Sequence, residues 1–417
     1  GGRVPGMSDG GPATAEYRGP VHVTNGPGAE FLSDVIDRAR SHLPDRLAGY
    51  VPIFAKAYAR HVATVAEQPP DPAELGSEIA GALRFADERR TDIGVRVFTP
   101  EPATDGYSAP GSVVETNTRD ARFLIESMTA AIQAKGITVA NVVHPVMGIA
   151  RDVAGAITAI LPARECKEHE SLAHFELERR LDAAAASELE TTLHGVLHDV
   201  LRAVRDFDAM KARVGDMIEF AAGAGAAYPL EDIEEVAAFL RWLLDNFVFL
   251  GYREYDIVDV SGEPALVAAP SSGLGILDDP GESTYAQPVL LASLPDDLRR
   301  RQEGGNLVVI TKTNAVATVH RRTKMDYIGL RKVDRKGNVV GEARLLGLFT
   351  SKAYMAPASR TPLLARKLER IFTAEDVVED SHDHRAITRI FDSFPKDELF
   401  AAPVDELRRE IVGLLEL

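Results

Sequence analysis

Cysteine is almost missing from this 417-residue chain, in which Cys166 is the single example. One cysteine cannot form an internal disulfide, and it excludes both a thiolate-rich zinc site and a redox pair. Proteins without disulfides are typical of a reducing compartment, so we predict a cytoplasmic location.

Positive charge is also scarce, because 47 lysines and arginines stand against 63 aspartates and glutamates and give a formal net charge of -16. Nucleic-acid binding depends on neutralising phosphates with cations, so we expect no nucleic-acid partner.

Long apolar runs are missing too, since the apolar residues 139–149 are too few to span a bilayer. No basic start precedes an apolar run either, and we expect neither a membrane partner nor a secretory signal.

The first ninety residues separate into a tail and a helical segment. Gly, Pro, Ser and Thr dominate residues 1–29, which predicts a disordered tail, and residues 1–6 before Met7 resemble a cloning remnant. Residues 30–90 carry apolar side chains at three- and four-residue spacing, which predicts helices. The proline-rich residues 68–73 divide this segment into two helical pieces.

Between residues 91 and 220, apolar and polar side chains alternate on either side of one helical pattern, which predicts an antiparallel sheet with helices on one face. Residues 117–120 are of the types that cap helices, and Gly136 stands where a helix would end. The predicted elements are strands at 93–97 and 112–116, a helix at 124–132, an extended segment at 137–149, strands at 156–161 and 173–177, and a long helix at 187–218.

A glycine- and alanine-rich stretch, residues 221–229, predicts a linker and a domain boundary before a second unit. Turn-forming residues at 334–338 predict a hairpin between two long strands of that unit. The predicted elements are a helix at 233–244, strands at 247–260, 265–269, 307–311, 315–320, 327–333 and 339–349, and helices at 362–372, 384–394 and 404–415.

These patterns predict the α+β fold class, with two antiparallel-sheet domains in tandem, flanking helices and one long connecting helix. The predicted division is a disordered tail at 1–29, a helical segment at 30–90, an α+β domain with the long helix at 91–220, a second α+β domain at 230–355 and a helical segment at 356–417.

Two glycine pairs, Gly223 with Gly225 and Gly273 with Gly275, come closest to a dinucleotide-binding turn. Neither supplies the third glycine between a strand and a helix that lets a pyrophosphate approach the backbone, so we predict a linker and a turn. No Walker-type glycine-lysine motif is present. We therefore expect no cofactor to bind this chain.

Catalytic motifs are missing as well, because Gly-x-Ser-x-Gly does not occur and no nucleophile has an identifiable activating partner. Glu176 and Glu178 share one face of a predicted strand, where paired carboxylates could do acid–base work, but an exposed sheet face is the expected environment. His144, before a proline in an apolar strand, is expected to be a hydrogen-bonded structural histidine. We predict no catalytic residue.

The pair His382 and His384 around Asp383 could bind a metal ion from a strand. Here the pair lies in a polar turn before a helix, so a capping role is expected and no metal site is predicted.

Lys312, His320 and Arg321 concentrate positive charge near a predicted strand end. Two interpretations stay open, a solvated loop and an anion site for a carboxylate or phosphate, because arginine offers a two-pronged donor.

The junction of residues 114–120 carries the candidate effector site, formed by Asn117, Thr118, Arg119 and Asp120. A strand that runs into a capped helix presents free backbone N–H groups at a positive dipole end, which can hold the carboxylate of a small amino acid. Asp120 could then meet the ammonium group. The alternative is a capped helix without a ligand.

Short stretches from about residue 50 to the end resemble, in order and spacing, the amino-terminal region of the large bacterial NAD-specific glutamate dehydrogenases. They are Val95-Arg-Val-Phe-Thr-Pro100, Val113-Val-Glu-Thr-Asn117, Phe123-Leu-Ile-Glu-Ser-Met128, His144-Pro-Val146, Phe239-Leu-Arg-Trp-Leu-Leu244, Phe249-Leu-Gly-Tyr-Arg-Glu-Tyr255, Ser272-Gly-Leu-Gly-Ile-Leu277, Thr318-Val-His320, Asp326-Tyr-Ile-Gly329, Gly347-Leu-Phe-Thr-Ser351 and Pro395-Lys-Asp-Glu-Leu-Phe400.

The resemblance implies a regulatory region built from ACT-like and PAS-like modules. The first α+β domain would be ACT-like, and the second either ACT-like or PAS-like. The parent enzymes oxidise L-glutamate to 2-oxoglutarate and ammonia with NAD as homo-oligomers, but neither their dinucleotide loop nor their glutamate-binding lysine has a counterpart here. The resemblance therefore implies an inactive fragment whose partners are its own carboxy-terminal catalytic region and other subunits.

Three hypotheses for function follow. The first is a regulatory and oligomerisation region that senses an amino-acid effector, acting on the catalytic part through linkage. The second is a purely structural assembly region without a ligand site, or a standalone amino-acid sensor. The third is a hydrolase or metal enzyme that uses the region of His382 and His384.

Overall fold

The computed structural model describes residues 28–65, 70–295 and 305–415. The predicted tail, apart from residues 28 and 29, and part of the proline-rich break at 68–73 lie outside these ranges. Contacts divide the chain into two compact units, residues 1–120 with 137–190 and residues 121–136 with 191–417. The predicted domain boundaries were drawn from the succession of elements and stay a prediction.

The first half of the chain holds six helices and six strands among its described residues. The helices are α1 (Ala29–Ser41), α2 (Asp45–Ala48), α3 (Val51–Val65), α4 (Pro72–Glu88), α5 (Leu124–Ala134) and α6 (Ala183–Arg205). The strands are β1 (Ile93–Phe98), β2 (Val113–Arg119), β3 (Val139–Val143), β4 (Val146–Arg151), β5 (Ile157–Pro162) and β6 (Glu170–Leu177).

The second half follows the same mixture of helices and strands. Its helices are α7 (Phe207–Ala222), α8 (Leu230–Asn246), α9 (Ser351–Met355), α10 (Leu364–Ala374), α11 (His382–Ser393), α12 (Lys396–Ala401) and α13 (Val404–Leu415). Its strands are β7 (Phe247–Val260), β8 (Glu263–Ala268), β9 (Leu274–Gly275), β10 (Val289–Leu290), β11 (Val308–Val316), β12 (Lys324–Val333) and β13 (Val339–Phe349). No helix of the described part combines the length and hydrophobicity that a bilayer-crossing segment needs.

The sheet of the first unit has the strand order β1-β2-β6-β4-β5, and β3 also pairs with β6. All strand pairings in the described part of this sheet are antiparallel. Apolar side chains of β3 to β6 pack in one core with helices α1 to α4, as expected for an antiparallel sheet that buries one face under helices. The predicted α+β class is confirmed in this unit.

Strand β2 corrects the predicted cap of the following helix. Asn117 and Thr118 do not cap a helix, because both lie in β2 and pair with β1 on one side and β6 on the other. Helix α5 begins at Leu124. The preceding Phe123 has a left-handed backbone conformation, with φ 71°, and its side chain makes no capping hydrogen bond. The extended segment at 137–149 is also two strands, β3 and β4, separated at His144 and Pro145.

The second unit contains a seven-stranded antiparallel sheet with the order β10-β8-β7-β13-β12-β11, and β9 pairs with β7. The predicted hairpin at 334–338 is confirmed: the N–H of Gly337, with φ +89°, donates to the carbonyl of Asp334 between β12 and β13. Helices α7 and α8 pack on this sheet and form the main core of the unit.

Three predictions for the second unit are wrong in detail. The helical pattern at 187–218 is two helices, α6 and α7, interrupted at Asp206. The predicted linker at 221–229 is the end of α7 and a 3-10 turn, with Ala221 and Ala224 buried in the core. The predicted strand at 315–320 does not form, since β11 runs on to Val316 and His320 adopts a positive φ of 67°.

The helices α10 to α13 pack around their own small apolar core. Lys367 on α10 joins them, because its ammonium donates to the carbonyls of Leu399, Phe400 and Ala402 at the end of α12, at 2.6, 3.0 and 2.8 Å. These carbonyls have no partner within a helix that ends there, and a cation at the negative end of a helix stabilises it.

Candidate functional site

The helix-facing side of the first unit's sheet buries charged side chains where apolar ones are expected. Alternation along a strand brings Glu115 and Asn117 of β2 to the same face, and antiparallel pairing sets His174 of β6 opposite Glu115. Glu170 follows on that face, and it is 9% exposed, whereas Glu115, Asn117 and His174 are 0% exposed. Buried charges are tolerated only when they are paired and hydrogen-bonded, so these residues must form networks.

The first network, here called the His174 cluster, consists of Tyr58, Glu78, Arg96, Glu115, His174 and Glu176. Nδ1 of His174 lies 3.0 Å from Oε1 of Glu115. Nε of Arg96 donates to Oε2 of the same carboxylate at 2.7 Å. The Tyr58 hydroxyl on α3 donates to Oε1 of Glu78 on α4 at 2.6 Å.

One polar atom of the His174 cluster has no hydrogen bond. Nε2 of His174 is fully buried, and among the described residues no partner lies within hydrogen-bonding distance. The closest carboxylate oxygen, Oε1 of Glu78, is 3.6 Å away. Ligand atoms of Glu78, His174 and Glu176 all lie within 4.8 Å of one another.

Burial and charge shift the pKa values in this cluster. Burial alone would lower the pKa of His174, but the carboxylates of Glu78 and Glu115 outweigh it and raise the pKa to about 9. Burial raises the pKa of Glu78. Burial would also raise the pKa of Glu115, but the hydrogen bond from His174 and the charge of Arg96 lower it.

The second network, here called the Glu170 cluster, surrounds one carboxylate with donors from three residues. Nε and Nη2 of Arg151 donate to its two oxygens at 2.7 Å each, which is a two-pronged arginine–carboxylate pair. Nη2 of Arg89 lies 2.5 Å from Oε1. Nδ2 of Asn117 donates to Oε2 at 3.1 Å, and its Oδ1 accepts from Arg151 at 2.9 Å.

The predicted effector residues are therefore not brought together in one pocket. Asn117 is bound within the Glu170 cluster, and Thr118 points to the other sheet face, where its hydroxyl donates to the carbonyl of Arg119 at 2.9 Å. Arg119 and Asp120 are exposed at the end of β2. The guanidinium of Arg119 lies 3.3 Å from Glu168, and both side chains are largely exposed.

The predicted anion residues contact protein acceptors. Nζ of Lys312 donates to Asp326 at 2.6 Å and to the Tyr354 hydroxyl at 2.9 Å. Nη2 of Arg321 donates to the carbonyl of Phe349 at 2.7 Å. The backbone N–H of His320 donates to the hydroxyl of Ser127 at 2.8 Å.

Other candidate residues have structural partners. His384 stacks on Phe372 with ring centroids 4.4 Å apart, and the helix cap is made by the Ser381 side chain, which accepts from the N–H of His384. His144 hydrogen-bonds Ser171 at 2.7 Å, as predicted for a structural histidine. Of the two glutamates expected on an exposed face, Glu178 is exposed and Glu176 is half-buried.

The glycine pairs also have structural roles. Gly275, with φ +60°, lies so close to strand β7 that a Cβ would overlap the carbonyl oxygen of Leu250. The absent side chain thus admits a neighbouring strand. Gly223 and Gly225 lie in the 3-10 turn that follows α7.

Neither the His174 cluster nor the Glu170 cluster was predicted from the sequence, although one signal for them was present. Glu170, His174 and Glu176 recur at even spacing along β6 and so share one face, between apolar residues of the other face. A strand buried on both sides carries charges only where partners exist. Those partners, on α3, α4 and β4, are distant in the sequence and could not be assigned from it.

Comparisons with known proteins place this unit in context. Residues 54–193 match the family description Glutamate dehydrogenase, ACT1 domain, and residues 361–417 match Glutamate dehydrogenase, helical motif 1. The NAD-specific glutamate dehydrogenase of Halomonas elongata is 30% identical over 334 residues, which cover 78% of this chain and 20% of that protein. The Pseudomonas aeruginosa enzyme is 27% identical over 93% of this chain and 24% of its own length, and the Mycobacterium tuberculosis enzyme is 29% identical over 68% and 16%.

An antiparallel sheet under helices, matched by the ACT1 description, defines a protein with an ACT-type domain. The chain belongs to the NAD-specific glutamate dehydrogenase family and corresponds to its amino-terminal region, as the sequence resemblance predicted. It spans only about a fifth of the length of the curated relatives that it matches.

Proposed function

We propose that this chain is a non-catalytic regulatory and assembly region of an NAD-specific glutamate dehydrogenase. The observation that carries the proposal is the ACT1 match over residues 54–193, which coincides with helices α3 and α4 and the whole six-stranded sheet. NAD binding and the oxidation of L-glutamate to 2-oxoglutarate and ammonia would belong to the catalytic region of the parent enzyme. The partners would be that region and other subunits of a cytoplasmic homo-oligomer.

The strand directions of the described sheets support the proposal that NAD binds elsewhere in the parent enzyme. A dinucleotide site of the usual kind needs a parallel sheet with a glycine-rich turn that opens a helix. Both sheets here are antiparallel, and Gly275 admits the close approach of strand β7, whereas Gly273 lies against the Leu277 carbonyl and the Arg253 side chain. The second sheet, with α7 and α8 packed on it, would be a second sensory module of ACT-like or PAS-like type.

The effector would bind at the exposed end of β2, where Arg119 and Asp120 stand next to each other. The Arg119 guanidinium can pair with an α-carboxylate, and the Asp120 carboxylate with an α-ammonium group. Arg119 already lies near Glu168, but exposed ion pairs contribute only about 0–1 kcal/mol, so a ligand carboxylate can replace that partner.

A thermal-shift screen of the twenty amino acids, 2-oxoglutarate and NAD against the whole chain tests this proposal. A ligand that binds the folded state raises the melting temperature. At a hundredfold excess over Kd it adds about 2.7 kcal/mol to the free energy of unfolding. We expect a shift with one amino acid that Arg119→Gln and Asp120→Asn abolish, while Arg180→Gln, another exposed arginine in a surface ion pair, keeps it. A shift with NAD, or one unaffected by these substitutions, contradicts the proposal.

A purely structural assembly role is the second candidate, and exposed apolar side chains favour it. Met355 is 85% exposed and Val378 is 72% exposed, both within the helical part of the second unit. Large apolar side chains on a surface often mark contacts between subunits. Sedimentation of the chain as a monomer at micromolar concentration would count against this role, and the absence of any amino-acid effect would favour it.

A further inference from the structure

The His174 cluster has the ligand types of a metal site. We propose that Nε2 of His174 and the carboxylates of Glu78 and Glu176 bind one divalent transition-metal ion, with zinc the best match to this ligand set. The three side chains come from α4 and β6, so a bound ion would connect a helix to the strand beneath it. No metal site was predicted from the sequence, in which His382 and His384 were the pair weighed as metal ligands.

The orientation of His174 is the first argument. Its Nδ1 lies 3.0 Å from Oε1 of Glu115, whose other oxygen accepts from Arg96. A metal-binding histidine usually donates its second ring N–H to a carboxylate, which fixes the tautomer and aims the lone pair of the other nitrogen at the ion. Here that other nitrogen is Nε2, which is buried, has no hydrogen bond and faces Glu78.

The distances between the three side chains also fit a bound metal ion. An imidazolium that was simply paired with Glu78 would make a hydrogen bond of about 2.7–2.9 Å. The observed separation of 3.6 Å is too long for that bond. It is close to the roughly 3.3 Å between two ligand atoms around a tetrahedral ion with bonds of about 2.0–2.1 Å. Glu176 offers an oxygen within 4.8 Å of the other two ligand atoms, and its half-buried side chain has room to adjust.

The charge and the donor atoms of the site also fit a divalent transition-metal ion. Arg96 compensates Glu115, and a metal ion that binds Nε2 would displace the proton from His174, so that two carboxylates, Glu78 and Glu176, and a neutral imidazole surround it. A divalent cation balances their charge. One nitrogen and two oxygens suit zinc, whereas Mg²⁺ and Ca²⁺ prefer oxygen ligands alone. The Tyr58 hydroxyl on Glu78 is a hydrogen bond of the kind that orients a ligating carboxylate.

Isothermal titration of ZnCl2 into the whole chain, first treated with a chelator and dialysed, tests the site. We expect one zinc per chain, with no competition from millimolar MgCl2. His174→Gln and Glu176→Gln should each weaken binding by more than the roughly 10–100-fold that loss of an outer hydrogen-bond partner costs. Glu178→Gln is the matched control, because Glu178 is exposed just past the end of β6, two residues after Glu176, and it should bind like the parent.

X-ray absorption of the zinc-loaded chain supplies the second readout. We expect only nitrogen and oxygen neighbours at about 2.0–2.2 Å, without sulfur. Circular dichroism of each variant confirms that it is folded, and Glu176→Gln, at a half-buried position, keeps the test valid if His174→Gln does not fold. Absence of zinc binding by the parent chain, equal binding by Glu176→Gln, or a sulfur neighbour from Cys166 overturns the proposal.

Discussion

Substitution of Glu170 by glutamine should destabilise the chain far more than a surface glutamate substitution does. The Glu170 carboxylate receives hydrogen bonds from Arg151, Arg89 and Asn117, and both arginines are at most 14% exposed. Removing the negative charge leaves two buried guanidinium groups without a counter-charge. Breaking a buried ion pair in this way costs about 3–5 kcal/mol, so we expect a loss of that size in the free energy of unfolding.

Urea denaturation followed by far-UV circular dichroism measures this loss, and hydrogen exchange locates it. Peptides that cover β2 and β6 should exchange faster in Glu170→Gln than in the parent, because that residue connects both strands to β4. Glu168→Gln is the control, since Glu168 is 83% exposed and pairs with an exposed Arg119. Such a pair contributes about 0–1 kcal/mol, so this variant should stay close to the parent.

Arg151→Met sharpens the comparison because it leaves Glu170 paired with Arg89. One guanidinium then faces one carboxylate, and we expect a smaller loss than in Glu170→Gln although more hydrogen bonds disappear. If Glu170→Gln costs less than about 1 kcal/mol, or less than Arg151→Met, the expectation that the two buried arginines require the Glu170 counter-charge is refuted.

Three further predictions concern other parts of the chain. The Arg46 hydrogen bond depresses the pKa of buried Asp87 below its ordinary 3.8, so the parent should lose stability in urea as pH falls below about 4, and Asp87→Asn should flatten that dependence. Gly275→Ala should lower the melting temperature more than Gly262→Ala, because both have positive φ, which costs about 1–2 kcal/mol, but only Gly275 faces a neighbouring backbone. Lys367→Met should leave three carbonyls without their donor and cost about 1–3 kcal/mol, seen as faster hydrogen exchange in α10 and α12. Equal shifts for the two glycine variants, or unchanged exchange in the lysine variant, would contradict these expectations.

Local chemistry explains which parts of the fold could be predicted. The hairpin at 334–338 was predicted correctly because asparagine, glycine and aspartate favour a tight turn in any context, and the structure has that turn. Helix α13 was likewise predicted at its observed bounds, since its apolar residues recur with a helical period.

The errors arose where pairing between distant segments decides the structure. Asn117 and Thr118 are residue types that cap helices, yet β1 and β6 supply hydrogen bonds that hold them in a strand. Tertiary contacts often override such local preferences. For the same reason the partners of Glu170 could not be assigned from the sequence, because Arg89 and Arg151 are distant from Glu170 in the chain and meet it only in the folded sheet.

The row of Arg96, Glu115 and His174 has a consequence for how the sheet assembles. These residues lie directly across from one another on β1, β2 and β6. A shift of one residue between neighbouring strands would turn each charge to the opposite face, away from its partner. An apolar row would tolerate a misaligned neighbour, whereas this row leaves a buried charge unmatched in every alignment but one. The charged row therefore favours one register among β1, β2 and β6 over its alternatives.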